Sequence, residues 1–104
     1  MEIFVIEKAK KEFITLPTEV QKQLHKIVLE LEQGEIPAKH KYKKISGHRD
    51  MYELRTKYNT NIYRGILMKH KTKGLIVCYF QKKSQKISHR ILETAERRFN
   101  LVKI

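Results

Sequence analysis

Two arginines lie in strand-like segments of the chain, and one of them lies inside an apolar run, where an unpaired guanidinium is costly to bury. Arg55 ends the run Tyr-Glu-Leu-Arg at residues 52–55, and Arg64 lies within the run Ile-Tyr-Arg-Gly-Ile-Leu at residues 62–67. Arg64 must therefore either pair with a carboxylate such as Glu53 or face an anion in a groove, and the residues alone leave both arrangements open. A planar guanidinium binds phosphate through two parallel hydrogen bonds, so the chemistry indicated is phosphate recognition.

A cluster of lysines follows the last apolar run of the sequence. Phe80 is followed closely by Lys82 and Lys83, and Lys86 comes three residues later. An aromatic ring beside lysines suits the stacking of a nucleobase while the ammonium groups hold phosphates. Charged runs after strands are more commonly solvated turns, so this prediction depends on the lysines converging with the two arginines.

Strand alternation determines which of these side chains share a face. Three strands are predicted at residues 51–56, 62–68 and 75–80, joined by polar turns at residues 57–61 and 69–74. Side chains two residues apart lie on the same face of a strand. The strands therefore present three same-face sets: Met51, Glu53 and Arg55; Ile62, Arg64, Ile66 and Met68; and, if the last strand continues through Lys82, Ile76, Cys78, Phe80 and Lys82.

A dense basic run between residues 35 and 50 contains Pro37 and Gly47 and predicts a loop, with a short strand near Lys43 to Ile45. We predict RNA contacts from cations of this loop and from the lysine after the last strand: Lys41, Lys43, Lys44, His48, Arg49 and Lys86. His48 is also a candidate proton carrier. The other histidines are predicted to be surface groups: His25, His40, His70 and His89.

Positive charge is concentrated in the C-terminal two thirds of the chain. The formal net charge is +12; residues 1–36 hold 5 Lys and 7 Glu (5 − 7 = −2), and residues 37–104 hold 18 Lys or Arg and 4 Asp or Glu (18 − 4 = +14). A field of this sign attracts polyanions, so nucleic acid is the favoured partner. Solubility alone, or an acidic membrane or protein partner, is the alternative.

Other classes of protein are disfavoured by what the sequence lacks. Cys78 lies in an apolar run and is predicted to be a buried, inert thiol. We find no CxxC or HExxH motif and no acidic cluster with metal-ligand spacing, so neither a metal nor another cofactor is expected. No apolar run approaches the ~18 to 20 residues that span a bilayer, and the first residues are acidic, so a cytoplasmic protein without membrane contact is expected.

The remaining elements predict an α+β domain covering residues 1–104. A buried strand at residues 2–6 precedes two helices; the first carries Ala9, Phe13 and Leu16, and the second begins near Thr18 and ends at Gly34. The second helix buries one apolar stripe: Val20, Leu24, Ile27, Val28 and Leu31. Ser88 caps a final helix with an apolar face of Ile91, Ala95, Phe99 and Val102, and with Arg90, Arg97 and Arg98 elsewhere. The order β-α-α-β-β-β-α predicts an antiparallel sheet packed on helices, with its second face free.

The ordered motifs of residues 45–100 resemble the phage-related HigB branch of RelE-type toxins. The resemblance rests on the Tyr-Glu-Leu-Arg strand, the Tyr-Arg of the next strand, the Phe-Gln-Lys-Lys-Ser-Gln-Lys segment at residues 80–86, and a last helix containing Ala95 and the pair Arg97-Arg98. Ser88 departs from the proline common in the family, although either residue can begin a helix. The resemblance implies a RelE-like fold and a toxin that cleaves mRNA on the ribosome and is neutralised by a HigA-like helix-turn-helix antitoxin. Carried over by position, the active-site cations are Arg55, Arg64, Lys82 and Lys83, with Phe80 stacking or positioning a base.

RNA contains its own nucleophile, the 2′-hydroxyl, so a metal-independent endoribonuclease needs only orientation, proton transfer and stabilisation of the phosphorane. Arg55 and Arg64 suit the phosphorane. Lys82 or Lys83 is the candidate acid or base, because a lysine crowded by cations has a depressed pKa, and His48 or Tyr79 could replace them. Two alternatives remain open: a ParE-like gyrase inhibitor, and a nonenzymatic nucleic-acid-binding module.

Overall fold

Alternating apolar and polar residues pair into one five-stranded sheet in the order β1-β5-β4-β3-β2. The computed structural model describes residues 1–82 and 86–102. Its strands and helices are β1 (Glu2–Val5), α1 (Glu7–Phe13), α2 (Thr18–Glu32), β2 (Tyr42–Lys44), β3 (Met51–Tyr58), β4 (Asn61–His70), β5 (Lys73–Lys82) and α3 (His89–Val102). The predicted α+β class is confirmed, and β2 lies one residue earlier than the short strand expected at residues 43–45.

The sheet is mixed, because one edge strand runs parallel to its neighbour. Strands β2 to β5 pair antiparallel as predicted, whereas β1 is parallel to β5, with Phe4 opposite Leu75. β1 alternates exposed and half-buried residues, so the prediction of a buried strand there is wrong. Ile3 and Val5 pack against the core beneath α1 and α2, whereas Glu2 and Phe4 on the other face of the strand are exposed.

Both antiparallel hairpins turn through two residues, which makes the strands longer than predicted. Tyr58 pairs with Asn61, and His70 pairs with Lys73. The first turn residues, Asn59 and Lys71, have φ of 56° and 58°. Left-handed backbone at this position matches the right-handed twist of the flanking strands, which is why short turns of this kind close hairpins.

The helices α1 and α2 cover one face of the sheet. The predicted stripe of α2 is buried in full and packs with Leu54, Leu67 and Ile76. The helix ends at Glu32, and Gly34 follows with φ of 81°, the left-handed conformation that commonly terminates helices. The predicted extent and buried face of α2 are confirmed.

The helix α3 covers the opposite face, so the prediction of a free second face is wrong. Leu92 and Ala95 pack on Met51, Ile66 and Val77. Ser88 begins the helix as predicted, because the Ile91 N–H donates to Ser88 Oγ at 3.3 Å.

The buried face of α3 differs from the predicted one in two respects. Leu92 and Ala95 are its buried residues, whereas Val102 is 39% exposed. Arg98, which was expected to lie away from the packed face, is half-buried and turns toward the sheet. The prediction missed the ion pair of Arg98 with Glu12, which holds the guanidinium against β5.

A β-bulge in β5 reverses the alternation on which part of the site prediction relied. Ile66 pairs with Cys78 but Leu67 pairs with Ile76, so Val77 is the extra residue. Ile76 therefore packs with α1 and α2, while Cys78 packs under α3. The predicted grouping of Ile76 with Cys78 is wrong, and the residues after the bulge keep their shared face.

The edge of β5 is closed by two side chains where β1 stops. Pairing of β1 ends at Ile76. Beyond that point, Glu12 Oε1 of α1 accepts a hydrogen bond from the Tyr79 N–H at 3.1 Å, and Arg98 Nη1 of α3 donates to the Val77 carbonyl at 2.8 Å. The guanidinium also donates two bonds to the Glu12 carboxylate, at 2.9 and 3.0 Å. This Glu12–Arg98 clasp joins helices from opposite faces of the sheet.

Candidate active site

Three residues predicted to carry chemistry form one row across the central strands. Arg55 of β3 lies opposite Arg64 of β4, which in turn lies opposite Phe80 of β5. Ile66 lies two residues after Arg64 in β4, on the same face of the strand, and it packs under α3. Phe80 packs against the same apolar cluster beneath α3, so the row lies on the α3 face of the sheet. The structure thus brings together the two arginines and the aromatic ring that the sequence placed in separate strands.

Arg64 forms a buried ion pair with Glu53 of the neighbouring strand β3. Its Nε lies 2.6 Å from Glu53 Oε2, and the two side chains are only 5% and 2% exposed. By distance this is an ion pair, without the alignment of a good hydrogen bond. Burial lowers the pKa of Arg64, while the charge of Glu53 acts in the opposite direction. Of the two arrangements left open by the sequence, the Arg64–Glu53 pair is therefore present.

Arg55 is the accessible guanidinium of the row. Its side chain is half-buried, and its charge also lowers the pKa of Arg64. Like charges directly opposite each other on neighbouring strands are destabilising. Within residues 1–82 and 86–102, no ion pair is found for Arg55, and Glu53 is the one carboxylate paired with Arg64. The row therefore has an excess positive charge beside an aromatic ring, and an anion could compensate it.

The predicted lysines of the site are only partly described. β5 continues through Lys82, as the prediction required, and Lys82 pairs with Ile62 two positions beyond Phe80. Lys83 lies outside the described residues. Lys86 is exposed, three positions before α3 begins.

The predicted RNA-contact residues of the basic loop divide into two groups. Lys43 lies opposite Glu53, and the Lys41 carbonyl accepts a hydrogen bond from the Arg55 N–H at 2.8 Å, so both positions adjoin the arginine row. Lys44 alternates with Lys43 along β2 and belongs to the opposite face. Arg49 is 95% exposed, with Nε 3.9 Å from the Asp50 carboxylate, and lies beyond the start of β3. The structure therefore places Lys41 and Lys43, but not Lys44 or Arg49, beside the row.

His48 is not brought to the arginine row. Its Nδ1 lies 3.1 Å from Glu96 Oε1 of α3. The loop that carries His48 is bonded to the sheet at Met51, four residues or about 13 Å along β3 from Arg55. The prediction of His48 as a proton carrier is therefore wrong. His48 is close to β3 in sequence, but it lies near the Met51 end of the strand, away from Arg55.

Tyr79 also lies away from the row, on the face covered by α1 and α2. It is 4% exposed, and its ring lies 4.9 Å from that of Phe13. Burial raises the pKa of its hydroxyl. The ring covers Gly65, where an added Cβ would lie 2.9 Å from Tyr79 Cε1. Tyr79 is a packing residue, and its prediction as an alternative proton carrier is wrong.

Cys78 and three of the four histidines that were predicted to be surface groups lie where the sequence analysis expected them. Cys78 is 4% exposed, and burial raises the pKa of its thiol to about 12, so it is unreactive. His25, His40 and His89 are exposed. His70 is half-buried instead, with its ring centroid 5.6 Å from that of Phe99.

The sequence did not predict a basic groove along the edge of β3. Lys26 of α2, His40, Lys41, Arg55 and Lys57 line a depression of about 420 Å³. We call it the β3-edge groove. Lys26 and Lys57 were overlooked because they lie in different elements, about thirty residues apart in sequence, and only the packing of α2 against β3 brings them together.

No group of three or more His, Cys, Asp or Glu side chains within the described residues has metal-binding geometry. None of the helices seen in this part of the chain combines the length and the apolar character needed to cross a bilayer.

Comparison with known families and curated proteins gives one match. The sequence profile of a family described as phage-derived protein Gp49-like (DUF891) matches residues 11–100. No curated protein has a significantly similar sequence.

Solved structures of an E. coli toxin share the fold. A double arginine-to-alanine mutant of E. coli RelE in the free state superposes with a TM-score of 0.66 at 24% identity, covering 93% of this chain and 95% of that one. The isolated E. coli RelE toxin gives 0.61 at 23%, covering 92% and 96%. The E. coli RelBE toxin–antitoxin complex gives 0.59 at 24%, covering 80% and 98%. The likeness extends over nearly the whole of each RelE chain.

Proposed function

The chain belongs to the phage-derived Gp49-like family and has the RelE fold, and on these premises we propose that it is the toxin of a toxin–antitoxin pair. We further propose that its activity is metal-independent cleavage of mRNA on the ribosome. The observation that carries the proposal is the cross-strand pair Arg55 and Arg64 beside Phe80, in which Arg64 is paired with Glu53 and Arg55 has no ion pair within the described residues. Two guanidiniums placed face to face destabilise the sheet, and an anionic substrate offsets this cost.

In the proposed reaction, the 2′-oxygen attacks the adjacent phosphorus and the bond from phosphorus to the 5′-oxygen breaks, giving a 2′,3′-cyclic phosphate and a free 5′-hydroxyl. One group removes the proton from the 2′-hydroxyl, and another protonates the departing 5′-oxygen. Arg55 binds the equatorial oxygens of the phosphorane. Arg64, held behind it by Glu53, adds positive potential and fixes the position of the row. Phe80 stacks a base.

Proton transfer is assigned to Lys82 or Lys83 in this proposal. Arginine does not titrate usefully, and His48 and Tyr79 lie away from the row. β5 carries the backbone of Lys82 two positions beyond Phe80, at the end of the strand that holds the ring.

The proposed partners follow from charge. Residues 37–104 have a net charge of +14, which complements both RNA and an acidic antitoxin segment. The RelBE complex shares the fold and contains an antitoxin, which supports an antitoxin partner here. We propose a helix-turn-helix antitoxin of the HigA type and action in the cytoplasm.

The test compares wild type with Arg55→Ala by primer extension on a cellular mRNA, with and without ribosomes. Arg55 is preferred to Arg64 because removal of Arg64 would leave Glu53 buried and unpaired, so that lost activity could result from unfolding. Arg97→Ala, an exposed arginine of α3, is the matched control. We expect new 5′ ends with wild type and the control, and at least about a hundred-fold fewer with Arg55→Ala.

New 5′ ends of equal intensity in all three samples, or in none, would refute the proposed site. A protein that binds RNA without cutting it, or that inhibits gyrase, produces no 5′ ends in any sample. Toxicity that the antitoxin reverses and that occurs without cleavage of mRNA would favour the gyrase alternative.

A further inference from the structure

The β3-edge groove collects positive charge beside the arginine row, with which it shares Arg55. Four of its lining side chains are lysine or arginine: Lys26, Lys41, Arg55 and Lys57. In the described part of the chain, none of the four lies within ion-pair distance of a carboxylate, whereas Arg64 and Arg98 each do. Like charges that converge without counter-charges raise the free energy of the folded state, and a bound polyanion removes that cost.

The groove is formed where β2 begins. The Arg55 N–H donates to the Lys41 carbonyl just before the first pair of β2, which joins Tyr42 to Leu54. Farther along β3, the Thr56 hydroxyl donates to the Gln23 amide oxygen and ties α2 to the strand. α2 thereby becomes the second wall of the groove.

This arrangement positions the two lysines that the sequence did not single out. Lys26 follows Gln23 by three residues and therefore lies on the same side of α2, above the groove. Lys57 follows Arg55 by two residues, roughly 7 Å along β3. Both lysine side chains are exposed, so they are available to a ligand in solution.

We propose that the β3-edge groove binds the phosphates of the RNA strand that flank the phosphodiester to be cut. This inference rests on the proposed function, because Arg55 belongs both to the groove and to the arginine row. A strand whose scissile phosphate lies at Arg55 can continue around the edge of β3 toward Lys57 and Lys26. The groove, at about 420 Å³, falls within the range typical of small-ligand sites. A groove lined by four separate cationic side chains suits the regularly spaced charges of an extended phosphate chain better than the broader surface of a folded acidic protein.

The first test measures binding without cleavage. A fluorescent single-stranded RNA with 2′-O-methyl groups lacks the nucleophile, so its anisotropy reports affinity alone. The variant is Lys26→Gln/Lys57→Gln, and the control with the same change in charge is Lys8→Gln/Lys11→Gln on the exposed face of α1. Each lost phosphate contact on a single strand reduces the slope of log K against log salt by about 0.7.

For two contacts we therefore expect the groove variant to have a slope lower by about 1.4 and an affinity roughly 25-fold weaker at about 0.1 M salt. The α1 control should retain the slope of wild type. Equal slopes and equal affinities for the two double variants would overturn the inference. Weaker binding to polyglutamate without weaker binding to RNA would also overturn it, since the groove would then be a protein-docking surface.

A second test separates this inference from the proposed function. Inorganic pyrophosphate is titrated into the full-length protein, and amide shifts are followed by NMR. We expect saturable shifts at Lys41, Thr56 and Lys57 in wild type and their loss in Lys26→Gln/Lys57→Gln. Shifts that are identical in the variant would refute the groove even if the protein cuts RNA. Shifts that depend on the lysines would support the groove even if no cleavage is found.

Discussion

Replacing Glu53 with glutamine is expected to destabilise the protein strongly, because it leaves the Arg64 guanidinium charged and buried. The two side chains are 2% and 5% exposed, and the carboxylate oxygen lies 2.6 Å from Nε. Removal of one partner from such a pair costs about 3 to 5 kcal/mol. For a domain of about 100 residues, each kcal/mol lowers the melting temperature by about 4 to 8 °C, so Glu53→Gln should lower it by about 12 to 40 °C.

Urea unfolding followed by circular dichroism measures the change, with the slope of free energy against urea concentration as a check that both proteins unfold in the same way. The double variant Glu53→Leu/Arg64→Met replaces both buried charges with apolar side chains of similar volume. It should recover most of the lost stability, because an apolar pair of similar volume is often as stable as a buried ion pair. A loss below about 1 kcal/mol for Glu53→Gln, or a double variant no more stable than the single one, would refute the reasoning.

Three other predictions concern packing, the sheet edge and pH. Gly65→Ala should cost about 1 to 3 kcal/mol, and less in a Tyr79→Leu background, because the added Cβ meets the Tyr79 ring; urea unfolding of the four proteins tests this. Arg98→Met should cost about 1.5 to 3 kcal/mol by losing the bonds to Glu12, and an unchanged melting temperature would contradict it. Cys78 keeps its proton up to about pH 12 when folded but ionises near 9.0 when unfolded, so the free energy of unfolding should fall as pH rises between these values, and a flat profile would argue against the buried thiol.

Local patterns in the sequence were sufficient for the elements that depend on near neighbours. The stripe of α2 and the cap at Ser88 were predictable because helix periodicity and capping involve residues within a few positions of each other. Alternation placed Arg55 and Arg64 in the correct sets within their own strands, and the pairing of β3 with β4 without a bulge puts these two sets on one face. These predictions need only the pattern within an element and the pairing of adjacent strands.

Features that depend on contacts between distant segments were not predictable. The bulge at Val77 has no local marker, and it moved Ile76 to the other face. The apolar face of α3 does not indicate which side of the sheet the helix covers. Its packing on Met51, Ile66 and Val77 brings Arg98 close enough to β5 to donate to the Val77 carbonyl.

The candidate site shows the same division. The family resemblance singled out Arg55, Arg64 and Phe80, and the pairing of β3, β4 and β5 places them in one row. His48 is close in sequence to β3 but lies at the end of the strand away from Arg55. Tyr79 is next to Phe80 in sequence but lies on the opposite face of β5.

The Glu12–Arg98 clasp has a consequence for how the protein meets other chains. An exposed sheet edge is a template for a foreign strand and hence for aggregation. Beyond β1, the Tyr79 N–H and the Val77 carbonyl are already occupied by side chains from two helices. A peptide strand could pair with this part of β5 only after the bidentate ion pair between Glu12 and Arg98 had broken. The clasp therefore disfavours polymerisation through the part of the β5 edge that the four-residue strand β1 does not cover.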